Sequence, residues 1–230
     1  PTAVHWHGIE LDAYYDGVPG FSGIGRRTTP MIAPGDSFEV RFTPPRAGTF
    51  IYHTHADEVR QQTAGLAGAL IVREPGTVRD PATDVPIVLS SPLVFALNRR
   101  VMLFNARREP APLAMTVGRT VRLRLIEMSV PRAAVTLRLL GRTAAGADSV
   151  LAWRVVAKDG ADLPAAMART PRPAVQFLAI GETADVAVTP DAPGELRLEA
   201  VFGLGPTGRP AGPVTRAGIW PIRVAPAAAP

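Results

Sequence analysis

The sequence predicts an all-β protein made of two Greek-key β-sandwich or barrel domains. Three observations carry that reading. The 230 residues include 24 Pro and 21 Gly, set between short runs rich in Val, Ile, Leu and Thr, and such punctuation separates strands. Some runs alternate polar and apolar residues, as 37–42 do, which is the period of a half-buried strand. The runs also recur at the spacing of a Greek-key sandwich. This length suits one large or two modest domains. The stretch Glu74-Pro-Gly-Thr-Val-Arg-Asp-Pro81 is the best linker, giving domains 1–75 and 76–230.

Taken in order, residues 2–9 form a strand, and Asp16-Gly-Val-Pro-Gly20 is turn chemistry, with Gly free to take positive φ and Pro fixing φ. Ala33-Pro-Gly-Asp36 is a second turn, followed by the strand at 37–42. Pro44-Pro-Arg-Ala-Gly48 leads into a strand at 49–55. Residues 57–63 are polar and suit a short helical turn, and 65–72 read as a buried strand. Beyond the linker, strands are expected at 85–89, 101–104, 120–127, 133–140, 150–157, 174–178, 183–188, 195–201 and 219–224, before a mobile Ala/Pro tail. A domain that begins on its first functional strand lacks partners for it, so opening strands or a targeting segment are expected ahead of Pro1.

Composition excludes several classes. Hydrophobic residues are 47% and charged residues 20%, enough for a packed core and unlike a disordered chain. No apolar run reaches the ~18 residues that span a bilayer. The net charge is +5, and all but one of the 25 basic residues is Arg. These arginines are scattered, with only doublets such as Arg26-Arg27, Arg99-Arg100 and Arg107-Arg108, and the 6% of aromatics are not interleaved with them. Nucleic acid is therefore not an expected partner. With no Cys, the chain has no disulfide, no thiolate zinc site and no copper site that needs a cysteine sulfur.

All four histidines lie in two pairs, His5-Trp6-His7 and His53-Thr54-His55. On a strand, residues two apart share a face, so each pair aims two imidazoles at one spot. Neutral imidazole is the commonest protein metal ligand. Four of them suit zinc, copper, nickel or iron, and histidine alone does not choose.

The residues around the pairs narrow the choice. Pro1-Thr-Ala-Val-His-Trp-His-Gly8, Asp16-Gly-Val-Pro-Gly20, Ile32-Ala-Pro-Gly-Asp-Ser-Phe38, Gly48-Thr-Phe-Ile-Tyr-His-Thr-His55 and Gln61-Gln-Thr-Ala-Gly-Leu-Ala-Gly-Ala-Leu-Ile-Val72 occur in this order. The series closely resembles the N-terminal cupredoxin domain of multicopper oxidases, the laccase-like family, and covers nearly all of residues 1–73. Gly118-Arg-Thr-Val-Arg-Leu-Arg-Leu-Ile126, Ala157-Lys-Asp-Gly160 and Ile180-Gly-Glu-Thr-Ala-Asp-Val186 resemble the family's middle cupredoxin domain, which normally carries no copper. The resemblance implies two cupredoxin-like domains, the first lacking its opening strands.

It also implies roles. His5 resembles the ligand of the type 2 copper, and His7, His53 and His55 ligands of the type 3 pair, in a trinuclear centre that reduces dioxygen to water. Asp16 matches a carboxylate near the cluster that assists proton delivery, and is equally a turn-former beside Gly17. Trp6 and Tyr52 read as packing. Asp57 and Glu58 could accept N–H bonds from the ligands but read better as a solvated loop, and Gln61 and Gln62 have no assigned role. The family pattern also breaks. A full trinuclear centre takes eight histidines and this chain has four. The type 1 copper, where substrate electrons enter, needs a Cys that is absent.

The leading expectation is a copper-binding portion of a longer oxidase whose last domain is missing; a separate chain carrying the missing ligands comes next, and a second copy completing the cluster last. Its partners would then be dioxygen and an unknown reductant. The alternative is a non-catalytic copper-binding or scaffold protein, and a zinc hydrolase is a weaker rival. A periplasmic or extracellular location is implied by the family.

Overall fold

The structure, a computed structural model, describes residues 1–91, 101–130 and 134–227. It is all-β, as predicted. In the first part, β1 (Val4–His7), β4 (Gly48–Thr54) and β5 (Ala67–Val72) form an antiparallel sheet in the order β1-β4-β5. Between β1 and β4 lie a 3-10 turn (Ala13–Tyr15) and a small hairpin of β2 (Gly23–Ile24) and β3 (Arg27–Thr28). The Asp12 carboxylate caps the 3-10 turn by accepting the Tyr14 N–H at 2.9 Å. The predicted helical turn is α1 (Glu58–Thr63), which connects β4 to β5.

Residues 37–42 are not a strand. Their side chains do alternate, with Phe38, Val40 and Phe42 half-buried and Ser37, Glu39 and Arg41 exposed. No ladder among the described residues includes them. Alternation reports which side chains pack; a strand also needs a hydrogen-bonded neighbour.

The rest of the chain forms two larger sheets. One runs β13 (Ala161–Asp162), β12 (Ala152–Lys158), β16 (Thr183–Val188), β9 (Val121–Glu127), β6 (Asp84–Ser90), β7 (Leu103–Phe104), with β14 (Arg172–Pro173) also on β12. The other runs β11 (Asp148–Val150), β10 (Ala134–Arg142), β17 (Gly194–Leu204), β18 (Pro210–Ala225), β8 (Leu113–Thr116), with β15 (Val175–Ala179) also on β10. A short helix, α2 (Ala165–Arg169), lies against β12. Leu123, Leu125 and Val186 from the first of these sheets, and Leu137, Leu139 and Leu198 from the second, belong to one buried cluster.

The run predicted at 150–157 is divided at Leu151. Its N–H donates to the Leu139 carbonyl and its own carbonyl accepts the Ala174 N–H, so the chain leaves one sheet there and joins the other. The strand predicted at 101–104 shortens to β7. Ala133, the doublet Arg99-Arg100 and the end of the Ala/Pro tail lie outside the described residues.

The three-stranded sheet is packed onto the larger part through β4. Ile51 clusters with Ile126 and Met128. Gly48 lies so close to Gly160 that a Cβ there would stand 2.3 Å from the Gly160 carbonyl oxygen, so only glycine fits. Beneath this contact Asp185, 1% exposed, accepts the Thr49 hydroxyl at 2.9 Å, Arg122 Nε at 2.8 Å and Arg124 Nη1 at 3.1 Å. Arg124 also forks onto Asp84. Buried charges of this kind persist only when paired and hydrogen-bonded.

Glu127, at the end of β9, is fully buried. One carboxyl oxygen accepts the Ser129 N–H and hydroxyl, and the other has no partner among the described residues. Burial pushes its pKa from 4.5 up to about 8, against the opposing pull of Ser129. Between those values the folded chain keeps a proton that the unfolded chain has released. The unfolded state then binds fewer protons, so stability falls as pH rises from about 4.5 to about 8 and levels off above. A shift of that size corresponds to about 4–5 kcal/mol. Glu127→Gln should remove most of this slope in urea titrations at pH 5 and 8; parallel pH profiles for the two proteins would refute the assignment.

Candidate metal centre

Strand register brings the histidines together. In the β1–β4 ladder His5 lies opposite His53, Trp6 opposite Tyr52 and His7 opposite Ile51. Antiparallel partners share a face, so one face carries His5, His7, His53 and, one residue past β4, His55. Ring centroids are 5.5 Å apart for His5–His7, 5.3 Å for His5–His53, 5.5 Å for His5–His55, 5.5 Å for His7–His53 and 6.0 Å for His53–His55. The other face carries Trp6, whose ring packs against Phe42 and Tyr52, in agreement with its reading as packing.

The hydrogen bonds select a ligand-ready tautomer. His5 Nδ1 lies 2.7 Å from the Asp16 carbonyl oxygen, and His53 Nδ1 lies 2.7 Å from the Thr54 carbonyl oxygen. A carbonyl only accepts, so both Nδ1 atoms carry the proton and both Nε2 atoms keep a lone pair. His53 Nε2 converges with His7 Nδ1 at 3.4 Å. Burial, and then the neighbouring His5, hold the His7 pKa below its ordinary value. Burial does the same for His53, with the Thr54 carbonyl opposing it. Neutral imidazoles with converging lone pairs fit a metal cation.

His5, His7 and His53 form the tight group, their ligand atoms within 4.8 Å of one another. His55 stands at its edge, with Nε2 3.5 Å from Glu58 Oε1. Of the two readings for these acids, Glu58 thus follows the approach to a ligand histidine, while Asp57 pairs outward with Arg60 at 2.7 Å.

Asp16 lies beside His5. Its Oδ1 is 3.4 Å from His5 Nδ1, and its Oδ2 accepts the Ser22 hydroxyl at 2.9 Å. It serves the turn as well, since its backbone N–H closes the 3-10 turn on Ala13. The next residue, Gly17, has φ +88°, and a Cβ there would fall 1.7 Å from the Val4 carbonyl oxygen. This contact, available only to glycine, seats the Asp16 loop on β1.

Gln61 and Gln62 acquire structural parts. The Gln61 side-chain Oε1 accepts the Thr2 and Thr54 hydroxyls at 2.7 and 2.8 Å, tying the start of β1 to the end of β4. Buried Gln62 donates to the Met128 carbonyl at 3.2 Å. The four imidazoles face a cavity of about 250 Å³ whose far wall is Met128, Val130, Ile180 and Gly181. The sequence held one signal for that wall, the Ile180-Gly-Glu-Thr motif; nothing local marked Met128 or Val130.

A family model described as multicopper oxidase matches residues 1–77. Those residues are where the likeness to multicopper oxidases in sequence lies. The same region is 42% identical over 76 residues to copper resistance protein A of Escherichia coli, an alignment covering 32% of this chain and 11% of that protein. Likeness in structure reaches further along the chain. A crystallised multicopper oxidase superposes on 98% of this chain and 70% of its own, with a TM-score of 0.74 at 18% identity. The multicopper oxidase of Pseudomonas thermotolerans covers all of this chain at 27% identity and a TM-score of 0.69, and this chain spans 52% of it. The fold is therefore the cupredoxin-like one expected, and copper is the metal that this multicopper oxidase kinship implies. The chain spans about a tenth of its curated relative and half of the Pseudomonas oxidase.

Proposed function

We propose that this chain supplies half of the histidine ligands of a trinuclear copper centre in a dioxygen-reducing oxidase, with residues 1–75 and 76–230 as two cupredoxin domains. The convergence of four half-buried imidazoles on one face of β1 and β4 carries this reading. His5 would serve the type 2 ion, and His7, His53 and His55 the type 3 pair. Bound copper supplies one-electron chemistry toward dioxygen. The chain itself orients the ligands. The carbonyls of Asp16 and Thr54 hold His5 and His53 in the Nε2-ligand tautomer. The carboxylate of Asp16, beside His5 and bonded to the Ser22 hydroxyl, would assist delivery of the protons that oxygen reduction consumes.

Four imidazoles are half of the set, so the remaining ligands come from another polypeptide segment or a second copy of this chain. Electrons from the reductant must enter at a site that this cysteine-free sequence does not contain. That same lack favours a second reading, a copper-binding or scaffold protein without turnover. The proposed setting is periplasmic or extracellular; no helix among the described residues is long and apolar enough to cross a membrane.

Copper titration with native mass determination tests the proposal. At least one copper per chain should bind, lost when all four histidines become alanine. Equal copper uptake by the histidine-free variant would overturn it. Dioxygen consumption once a cysteine-containing partner segment is supplied would separate oxidase from scaffold.

A further inference from the structure

The part of the chain that contributes no imidazole still reaches the centre through the turn between β15 and β16. Gly181 sits there with φ +83°, and a Cβ built on it would lie 3.0 Å from His7 Nε2 and 3.1 Å from His7 Cε1. The turn has little freedom to retreat. The Gly181 N–H donates to the Glu127 carbonyl at 2.9 Å, and the Glu182 N–H to the Ala179 carbonyl at 3.1 Å. The Glu182 carboxylate in turn accepts the Ala179 N–H at 2.8 Å. His7 is confined from the other side by His53, whose Nε2 lies 3.4 Å from His7 Nδ1. His7, Ile180 and Gly181 also form the wall between the 250 Å³ histidine cavity and a neighbouring pocket of about 200 Å³ that Asp159 and Thr183 help to line.

We propose that Gly181 is a positioning residue for His7: its bare Cα is the backstop that fixes the imidazole plane and thereby aims Nδ1 at the point shared with His53. A methyl at 181 would crowd the ring at 3.0 and 3.1 Å, so the imidazole must give by a few tenths of an ångström, and that shift spoils its aim. The second region thus sets the orientation of a ligand that the first region provides. The copper consequence rests on the proposed half-site; the ring geometry does not.

The test compares Gly181→Ala with Gly146→Ala. Gly146 has nearly the same φ, +79°, but nothing among the described residues within 4 Å of its Cβ position, so both variants carry the same left-handed backbone strain and only one meets His7. In the metal-free protein, ¹⁵N-detected ring spectra should show the His7 resonances shifted by Gly181→Ala and unmoved by Gly146→Ala. Copper affinity by competitive titration should fall at least ten-fold in the first and stay within two-fold in the second. Equal behaviour of the two variants in the ring spectra overturns the proposal. If the wild-type chain takes up no copper, the half-site reading falls while the metal-free spectra still decide the role of Gly181. Should Gly181→Ala fold poorly, the double variant His7→Ala, Gly181→Ala decides: with the ring gone its melting temperature should fall relative to His7→Ala by no more than Gly146→Ala falls relative to wild type. A larger fall would place the clash elsewhere and overturn the proposal.

Discussion

His53→Ala should weaken copper binding by roughly 100-fold or more, since it removes a ligand outright where loss of a supporting partner alone costs 10–100-fold. His53 stands at the middle of the group: it faces His5 across the ladder and its Nε2 converges with His7 Nδ1. His55→Ala should cost less, because His55 lies outside the set whose ligand atoms fall within 4.8 Å. Metal-free stability should change little in either variant. The main loss in His53→Ala is one hydrogen bond to the Thr54 carbonyl, worth about 1 kcal/mol. Equilibrium dialysis against a copper chelator, paired with urea melts of the metal-free proteins, reads both quantities. Equal losses of affinity in the two variants would show that the three-histidine grouping does not describe the binding site.

Asp185→Ala should be strongly destabilising. It strips a buried acceptor from Thr49, Arg122 and Arg124 together. Arg124 is only 6% exposed and would keep Asp84 alone as its acidic partner. Breaking one side of a buried, hydrogen-bonded ion pair costs about 3–5 kcal/mol, which for a chain of this length lowers the melting temperature by roughly 10 °C. The damage should reach the metal strand, because Thr49 belongs to β4 and its hydroxyl would lose the acceptor that pins it. A change below about 1 kcal/mol in calorimetry would mean that the cluster contributes little net stability.

Much of the fold was legible along the chain. The strand expected at 183–188 is β16 to the residue, and those at 85–89 and 120–127 differ from β6 and β9 by a residue or so at their ends. These runs are buried and rich in Val, Leu and Ile, so local pattern and tertiary role agree. Residues 37–42 misled because side-chain alternation is local while a ladder partner is not. The run at 150–157 misled because its apolar pattern continues through Leu151, and only the hydrogen-bond partners of that residue show that the chain changes sheets there.

The metal site divides in the same way. The sequence by itself determined that each His-X-His pair presents two imidazoles on one face, because side-chain direction in a strand repeats every two residues whatever lies beside it. The residues framing the pairs also carry the resemblance to multicopper oxidases, and copper is the metal which that resemblance implies. The tertiary structure alone decided that the two faces coincide. That required β1 to pair with β4 in the register that sets His5 against His53, and a shift of one residue would have turned one pair away. It also decided that Asp16 and Thr54 turn their carbonyls to the rings, and that Gly181, more than 120 residues beyond His53, closes against His7. Register and long-range packing depend on atoms far apart in the chain, and no local residue pattern records them.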